Sequence, residues 1–296
     1  MQRIALRKML EHFYMEDIGS GDLSAQLISD SGPQRAIIHA KQHGILAGVD
    51  VIREAFALLD PEIRVTLLKQ DGDAIAPGDT IAALEGSPSN LLTGERVALN
   101  LLQRMSGIAT ATRRAIEALN DPSIRICDTR KTTPGLRMLE KHAVTAGGGY
   151  NHRFGLYDGI MIKDNHIAAE GSIAAAVAKA QARHGHMVKI EVEIEDEEQL
   201  QEAIAAGADI IMFDNCDPDT VTRFARITPP SIITEASGGI DLNTLHTYRD
   251  SGVHYISLGF LTHSAASLDI SMDIIPDPER GPTAERQETS CPSLTN

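Results

Sequence analysis

Long apolar runs and paired cysteines are missing from this sequence. No run of 18 apolar residues occurs among its 296 residues, so a membrane-spanning helix is not predicted. The three cysteines, Cys127, Cys216 and Cys291, form no CxxC pair, which excludes a disulfide framework and a structural zinc site. A reducing cytoplasm is therefore the expected compartment. The N-terminal residues carry charges inside an apolar pattern, which predicts an amphipathic helix and not a signal peptide.

Positive charge is scarce. Lysine and arginine number 27 against 41 aspartates and glutamates, a formal net charge of −14. Because nucleic-acid phosphates are held by lysine and arginine, this balance argues against non-specific nucleic-acid binding. A small anionic ligand is still allowed, since a local basic pocket can dominate its own field. The composition, 42% hydrophobic and 23% charged, is otherwise that of an ordinary globular protein.

The common nucleotide-binding loops are also missing. The P-loop pattern G-x-x-x-x-G-K-S/T does not occur, which argues against an ordinary nucleoside triphosphatase, and no G-x-G-x-x-G follows a strand, which argues against a Rossmann cofactor.

Two halves of the chain differ in rhythm. Residues 1–90 alternate short β-like runs with turns around one helix, and residues 91–120 form a long helical pattern that Thr93 is placed to cap. From 121 to 262, six apolar strand-like runs alternate with helix-like segments, which predicts parallel strands joined by crossover helices. An incomplete barrel and a doubly wound sheet both fit this alternation. We divide the chain into an N-terminal domain with linker helix (1–112), a catalytic domain (113–272) and a disordered tail (277–296).

Polar residues and glycines collect where the predicted strands end. In a parallel barrel these ends carry the reactive groups, so the pattern favours an enzyme. Four cations and a histidine form a predicted anion-binding cluster: Arg130, Lys131, His152, Arg153 and Lys163. Glu193 and Asp214 are carboxylates suited to Mg²⁺ or to ribose hydroxyls. Ser237-Gly238-Gly239 and the segment GFLTHS (259–264), each followed by a predicted helix start, suit a phosphate.

Each feature has a simpler explanation as well. Arg130 and Lys131 fit a solvated loop equally well, and the three glycines before Tyr150 fit a tight turn. The cysteines fit inert positions, because none has a base partner. Lys163, directly after an apolar strand, is harder to explain without an anion. The alternating glutamates at 191, 193 and 195 require a polar face or partner cations, because a buried unpaired charge is costly.

Several long motifs resemble the quinolinate phosphoribosyltransferase family. They are DTRKTTPG (128–135), GGGYNHRFGLYDGIMIKDNHI (147–167), EVEIEDEEQLQEAIAAGADIIMFDN (191–215), EASGGI (235–240) and LGFLTHSA (258–265), and the similarity covers about residues 10–272. The resemblance implies an α/β fold in which an N-terminal α/β sandwich domain precedes an incomplete, six-stranded parallel α/β barrel. It implies a Mg²⁺-dependent reaction of quinolinate with 5-phosphoribosyl-1-pyrophosphate that yields nicotinate mononucleotide, pyrophosphate and CO2.

The resemblance also implies roles for single residues. Arg130, His152, Arg153 and Lys163 would hold the two carboxylates of quinolinate, and Lys131 and Lys163 would lie near the phosphates. Glu193 and Asp214 would face the ribose and the metal. The 5′-phosphate would be surrounded by Ser237, Gly238, Gly239, Gly259 and His263. Arg96 would reach into the site of a neighbouring subunit, which implies a homo-oligomer that is at least a dimer.

Three other interpretations stay open at this point. Lys163 suits a Schiff-base aldolase. A paralogue on the same scaffold, of the molybdenum-transport-associated kind, would act on a different acid. A metabolite-binding regulator would have lost catalysis, against which Lys163, Glu193 and Asp214 argue.

Overall fold

The computed structural model describes residues 1–28 and 32–275. The predicted tail, 277–296, and Cys291 lie outside the described residues. The helices are α1 (Arg3–Ile18), α2 (Val49–Leu59), α3 (Pro88–Leu119), α4 (Arg137–Ala146), α5 (Asp164–Glu170), α6 (Ile173–Arg183), α7 (Glu197–Ala206), α8 (Pro218–Ile227) and α9 (Phe260–His263). The strands are β1 (Gln34–Ala40), β2 (Gly44–Ile45), β3 (Arg64–Leu67), β4 (Ala74–Ile75), β5 (Thr80–Gly86), β6 (Arg125–Cys127), β7 (Ile160–Ile162), β8 (Ile190–Ile194), β9 (Ile210–Asp214), β10 (Ile233–Ser237), β11 (Tyr255–Ser257) and β12 (Ile270–Ile275).

Six parallel strands form the sheet that carries the candidate site. Their order is β6-β11-β10-β9-β8-β7. The strands therefore follow chain order around a barrel that closes between β11 and β6 and is open between β6 and β7. This confirms the predicted incomplete six-stranded barrel and rejects the doubly wound sheet, in which the strand order would reverse.

The crossover helices begin and end where their sequences predict. Asp196 caps α7 by accepting a hydrogen bond from the N–H of Gln199, and Gly207 ends that helix in the left-handed conformation. Asp217 caps α8 in the same way, with Pro218 as the first helical residue. These boundaries set the strand ends on one edge of the barrel.

The N-terminal domain pairs β12, β1, β5 and β3, in that order, in an antiparallel sheet on which helices pack. The predicted α/β sandwich is confirmed. Strand β12 was not predicted: it follows the barrel in the chain but pairs with β1, with Ile270 opposite Ala40. The last residues of the predicted catalytic segment therefore lie in the N-terminal sheet.

Helix α3 joins the two domains. The predicted cap at Thr93 is wrong, because the helix already begins at Pro88 after Ser87, and the Thr93 hydroxyl instead donates to Asp22 at 2.9 Å. Proline is well suited to a first helical position, since it lacks only an N–H that would be unpaired there. Further along α3, Gln103 donates to the carbonyl of Ile270 at 2.7 Å, which ties the helix to β12. Of the helices in residues 1–28 and 32–275, not one combines the length and apolar character that crossing a bilayer requires.

Candidate active site

A cleft of about 510 Å³ lies at the carboxyl ends of the barrel strands. Its walls include ten of the predicted site residues: Arg130, Lys131, His152, Arg153, Lys163, Glu193, Asp214, Ser237, Gly238 and Gly239. As predicted for the carboxyl ends of parallel barrel strands, the fold brings together residues that are more than 100 positions apart in the chain. The cleft carries more cations than carboxylates, in contrast to the acidic chain as a whole.

The loop after β6 holds Arg130 and Lys131 in fixed positions. The carbonyl of Lys131 accepts a hydrogen bond from the hydroxyl of Thr262 at 2.7 Å. Arg137, at the start of α4, donates to the hydroxyl of Thr132 at 2.9 Å. These anchors argue against a solvated loop, because both cations stand on a backbone that neighbouring elements hold.

Two arginines converge on the cleft with unused donors. The Nε atoms of Arg130 and Arg153 are buried and have no hydrogen-bond partner among the residues that the structure describes. Burial, followed by the charge of Arg130, lowers the pKa of Arg153. Buried donors left unpaired on two arginines of one cleft suit an anionic ligand, because a carboxylate accepts hydrogen bonds from guanidinium groups.

Lys163, Glu193 and Asp214 lie at the carboxyl ends of the consecutive strands β7, β8 and β9. The Lys163 ammonium forms an ion pair with Glu193 at 2.6 Å. Asp214 accepts a hydrogen bond from the side chain of Asn215 at 2.7 Å. Burial and then the charge of Glu193 raise the pKa of Asp214, while Lys163 opposes this shift. Neighbouring carboxylates of this kind are stabilised by a shared cation.

His152 is engaged on both sides of its ring. Its Nδ1 accepts a hydrogen bond from the N–H of Arg153 at 2.9 Å, and its Nε2 lies 3.0 Å from Glu191. Burial alone would lower the pKa of His152, but the hydrogen bond and the charge of Glu191 outweigh it and raise the pKa. The ring therefore borders the cleft, while its two nitrogens contact the N–H of Arg153 and the carboxylate of Glu191.

Beneath His152 lie two buried glutamates. The side chain of Glu235 is 5% exposed, accepts a hydrogen bond from Ser257 and lies 3.7 Å from the Nε2 of His152. Burial, followed by the charge of Glu191, raises the pKa of Glu235 to about 7. The prediction that these glutamates need partner cations or a polar face is confirmed: Glu191 pairs with His152 and Glu193 with Lys163, while Glu195 is exposed just after β8.

The predicted phosphate end is built from backbone. Gly238 and Gly239 both have left-handed backbone conformations, φ +89° and +65°, which favour glycine. The helix predicted after them is wrong: residues 241–252 hold only a short 3₁₀ turn, Leu245–Tyr248. The side chain of Asp241 accepts from the N–H groups of Asn243 and Thr244 instead, which stabilises a turn that competes with a helix. The glycine N–H groups are then the donors that this end offers.

Three predicted residues lie outside the cleft lining. Gly259 directly precedes α9 and His263 ends it, and a side chain added at Gly259 would contact both His263 and Lys131. The side chain of Arg96 on α3 is 60% exposed, and its nearest carboxylate is that of Glu95 at 3.9 Å. Within one chain, Arg96 is not part of the site.

The described cysteines are unreactive by their surroundings. Cys127 and Cys216 are free and buried. Burial raises the pKa of the Cys127 thiol, and it raises that of Cys216 to about 11. Neither is a thiolate at neutral pH, so neither is a nucleophile.

Other cleft residues were not predicted: Thr129, Met161, Met212, Asn215 and Ser257. Their position at or next to a strand end was a usable signal for the polar members. Glu235 and Lys141 were also missed. A glutamate inside an apolar strand and a lysine inside a helix give no local sign of burial.

Comparisons with known proteins agree over nearly the whole chain. The family model described as "Quinolinate phosphoribosyl transferase, C-terminal domain" matches residues 108–273, and the model of the N-terminal domain matches residues 22–106. The chain is 64% identical over 274 residues, 93% of its length, to a Bacillus subtilis (strain 168) protein named "Probable nicotinate-nucleotide pyrophosphorylase (carboxylating)", of which 95% is covered.

Solved structures agree as well. A structure of NadC from Streptococcus pyogenes is similar with a TM-score of 0.89 and 42% identity, covering 93% of this chain and 99% of that one. A nicotinate-nucleotide pyrophosphorylase from Francisella tularensis is similar with a TM-score of 0.89 and 35% identity, covering 93% and 98%. On these matches and on the shared two-domain architecture, the chain belongs to the quinolinate phosphoribosyltransferase family.

Proposed function

We propose that this protein is a quinolinate phosphoribosyltransferase of de novo NAD biosynthesis, an enzyme of the pentosyltransferase class. It would join quinolinate to 5-phosphoribosyl-1-pyrophosphate and release nicotinate mononucleotide, pyrophosphate and CO2. The observation that carries this proposal is the pair of converging arginines, Arg130 and Arg153, whose buried Nε atoms lack partners among the described residues. They line a cleft that also holds two lysines, a carboxylate pair and two left-handed glycines.

The two carboxylates of quinolinate match the cationic wall. Arg130 and Arg153 present planar donors that suit bidentate contact with a carboxylate, and Lys163 adds a point charge. His152 holds the N–H of Arg153 through its Nδ1 and so supports the arginine from behind. An acid with one carboxylate would leave part of this charge unmatched, which favours a dicarboxylate.

Phosphoribosyl pyrophosphate matches the remaining groups of the cleft. The N–H groups of Gly238 and Gly239, with the hydroxyl of Ser237, suit the 5′-phosphate. Lys131, in the loop after β6, suits the pyrophosphate. Glu193 and Asp214 offer carboxylate oxygens, which are the ligands that Mg²⁺ prefers. Burial, followed by the charge of the nearby Glu193, raises the pKa of Asp214. We propose that they hold Mg²⁺, which when bound supplies positive charge next to the leaving group.

The chemistry needs no protein nucleophile. The pyridine nitrogen attacks C1 of the ribose, the C1–O bond to pyrophosphate breaks, and its electron pair leaves with pyrophosphate. Positive charge develops on the sugar, which Glu193 and Asp214 offset, and negative charge develops on pyrophosphate, which Lys131 and Lys163 offset. The ring nitrogen, now quaternary, accepts electron density as the adjacent carboxylate leaves as CO2, after which the ring carbon takes up a proton.

We also propose a homodimer in which Arg96 completes the partner's site. Its side chain is 60% exposed and lies apart from the cleft of its own chain. Mixing Arg96→Ala with Lys163→Ala subunits would test this. If the site is shared, each variant alone should be inactive, and an equal mixture should recover up to about a quarter of the wild-type activity, because about half of the dimers are mixed and each of these has one intact site. Full activity of Arg96→Ala alone would reject a role for Arg96.

The alternatives have less support. A Schiff-base aldolase requires a free amine, but Lys163 is ion-paired with Glu193 at 2.6 Å. A paralogue acting on another acid, or a regulator without catalysis, would not require both the cationic wall suited to a dicarboxylate and the carboxylate pair. We further propose a cytoplasmic location, in keeping with the free thiols of Cys127 and Cys216.

An assay with quinolinate, phosphoribosyl pyrophosphate and Mg²⁺ tests the function directly by release of CO2 and pyrophosphate. Absence of both products would reject it, and turnover of nicotinate in place of quinolinate would redirect it.

Two substitutions separate the roles of the adjacent cations Arg130 and Lys131. Arg130→Lys keeps the charge but loses the bidentate geometry, so the KM for quinolinate should rise. Lys131→Met should raise the KM for phosphoribosyl pyrophosphate instead, and the reverse pattern would contradict these assignments.

A further inference from the structure

A buried ion pair lies behind the cleft. Asp128 directly follows β6 and Lys141 lies on α4; both side chains are fully buried and the Lys141 ammonium contacts the Asp128 carboxylate. Neither residue belongs to the strand-end groups that line the cleft. An isolated charge in this position would be strongly unfavourable, so each of the two holds the other in place.

The same pair holds the backbone of His152 on both sides. The Asp128 carboxylate accepts from the N–H of His152 at 2.9 Å, and the Lys141 ammonium donates to the carbonyl of His152 at 2.9 Å. Asn151, with its amide oriented to satisfy its neighbours, donates to Asp128 at 2.6 Å and to the carbonyl of Lys141 at 2.9 Å. The ring of Phe154 lies 5.4 Å from the Lys141 ammonium.

These contacts fall where the barrel is open. Residues 150–154 run between β6 and β7, where the described chain has a single bridge, Cys127 to Tyr150, in place of a strand pair. A sheet ladder therefore does not fix His152 and Arg153. The ion pair holds the backbone of His152, and thereby the position of the adjacent Arg153, through charge-assisted hydrogen bonds that are stronger than neutral ones.

We propose that Lys141 and Asp128 are positioning residues that set the orientation of His152 and Arg153, and through them the affinity for the dicarboxylate substrate. This inference rests on the proposed function. Neither residue lines the cleft. Their loss should weaken quinolinate binding and leave the phosphoribosyl pyrophosphate groups carried by β9 and β10 little changed.

Three variants test the inference: Lys141→Met, Asp128→Asn and the double variant. The double variant leaves no unpaired buried charge and so keeps the test valid if a single variant is too unstable. We expect the quinolinate KM to rise on the order of 10- to 100-fold for Lys141→Met, since displacements near 1 Å have effects of this size. The KM for phosphoribosyl pyrophosphate should stay within about twofold of the wild type.

Glu54→Gln is the matched control. Glu54 is a buried charged residue, 4% exposed, that pairs with Arg3 at 2.6 Å in the N-terminal domain. Its loss should therefore lower the melting temperature without changing either KM. An unchanged quinolinate KM in folded Lys141→Met or double variants would overturn the inference. So would equal rises in both KM values, a rise in the control, or failure of all three variants to fold.

Titration calorimetry with quinolinate alone separates this inference from the proposed function. Wild-type protein that binds quinolinate without turnover would reject the function, while weaker binding by the folded variants would still support the positioning role. Wild-type turnover together with unchanged quinolinate binding in the variants would reject the positioning role alone. Wild-type protein that neither binds nor turns over quinolinate would reject both.

Discussion

Replacing Glu235 with glutamine should change the pH dependence of stability in a defined direction. Glu235 is 4% exposed, and burial together with the charge of Glu191 raises its pKa from 4.5 to about 7. Between these values the folded protein binds a proton that the unfolded chain does not, so the free energy of unfolding falls as pH rises. A difference of about 2.5 pKa values corresponds to about 3 kcal/mol.

Glutamine keeps the shape of the side chain and an oxygen that accepts from Ser257, but it cannot ionise. Wild type and Glu235→Gln should therefore unfold at similar urea concentrations near pH 4.5. The variant should become the more stable protein as pH rises to 8, by up to about 3 kcal/mol. His152 partly offsets the carboxylate charge, so this value is an upper limit.

Urea unfolding at fixed protein concentration, at half-unit steps from pH 4.5 to 8, measures the difference. Glu54→Gln provides the contrast: Glu54 is equally buried but is paired with Arg3, so this substitution should lower stability at neutral pH. A difference between wild type and Glu235→Gln that does not vary with pH would refute the reasoning. A wild type that gains stability over the variant toward pH 8 would show that Glu235 is ionised and stabilised throughout.

Two further predictions concern the cleft. Lys163→Ala should lower kcat by a factor on the order of 10³ while the protein stays folded, because it removes a positive charge that stabilises the leaving pyrophosphate. Lys189→Ala is the control: Lys189 precedes β8, its side chain is 63% exposed and it pairs with Asp209, so kcat should stay nearly unchanged. Near-normal turnover by Lys163→Ala would contradict its role. Gly238→Ala should destabilise by about 1–3 kcal/mol and raise the KM for phosphoribosyl pyrophosphate, because its φ is +89° and a Cβ would overlap Asn215. Gly239→Ala has a similar φ, +65°, but open space around a Cβ, so it isolates the backbone strain; equal effects of the two in thermal melts and KM would argue against the overlap.

Much of the site could be predicted because parallel strands carry their carboxyl ends to one edge. Lys163 follows β7 and Asp214 ends β9, so each was recognisable from a strand-like run and the polar residue after it. The phosphate end shows the limit of local reasoning. Residues 241–252 have a helical pattern, yet Asp241 caps a tight turn, and the segment forms only a 3₁₀ turn.

The roles of charged groups inside helices and strands were beyond local reasoning. Lys141 has the sequence context of an exposed helical lysine, and its burial depends on Asp128 and on the carbonyl of His152, which other segments supply. Glu235 likewise owes its raised pKa to burial and to Glu191, 44 positions earlier in the chain.

The sequence by itself determined the kinds of elements, their order and the residues at the strand ends, because amphipathic periods, capping residues and glycines act through the nearby backbone. Only the tertiary structure decided that the barrel is open between β6 and β7, that β12 returns to pair with β1, and that a buried ion pair holds His152 across the opening. Those features depend on which distant edges and charges are left to be paired once the local elements have formed, and that is a property of the packed chain.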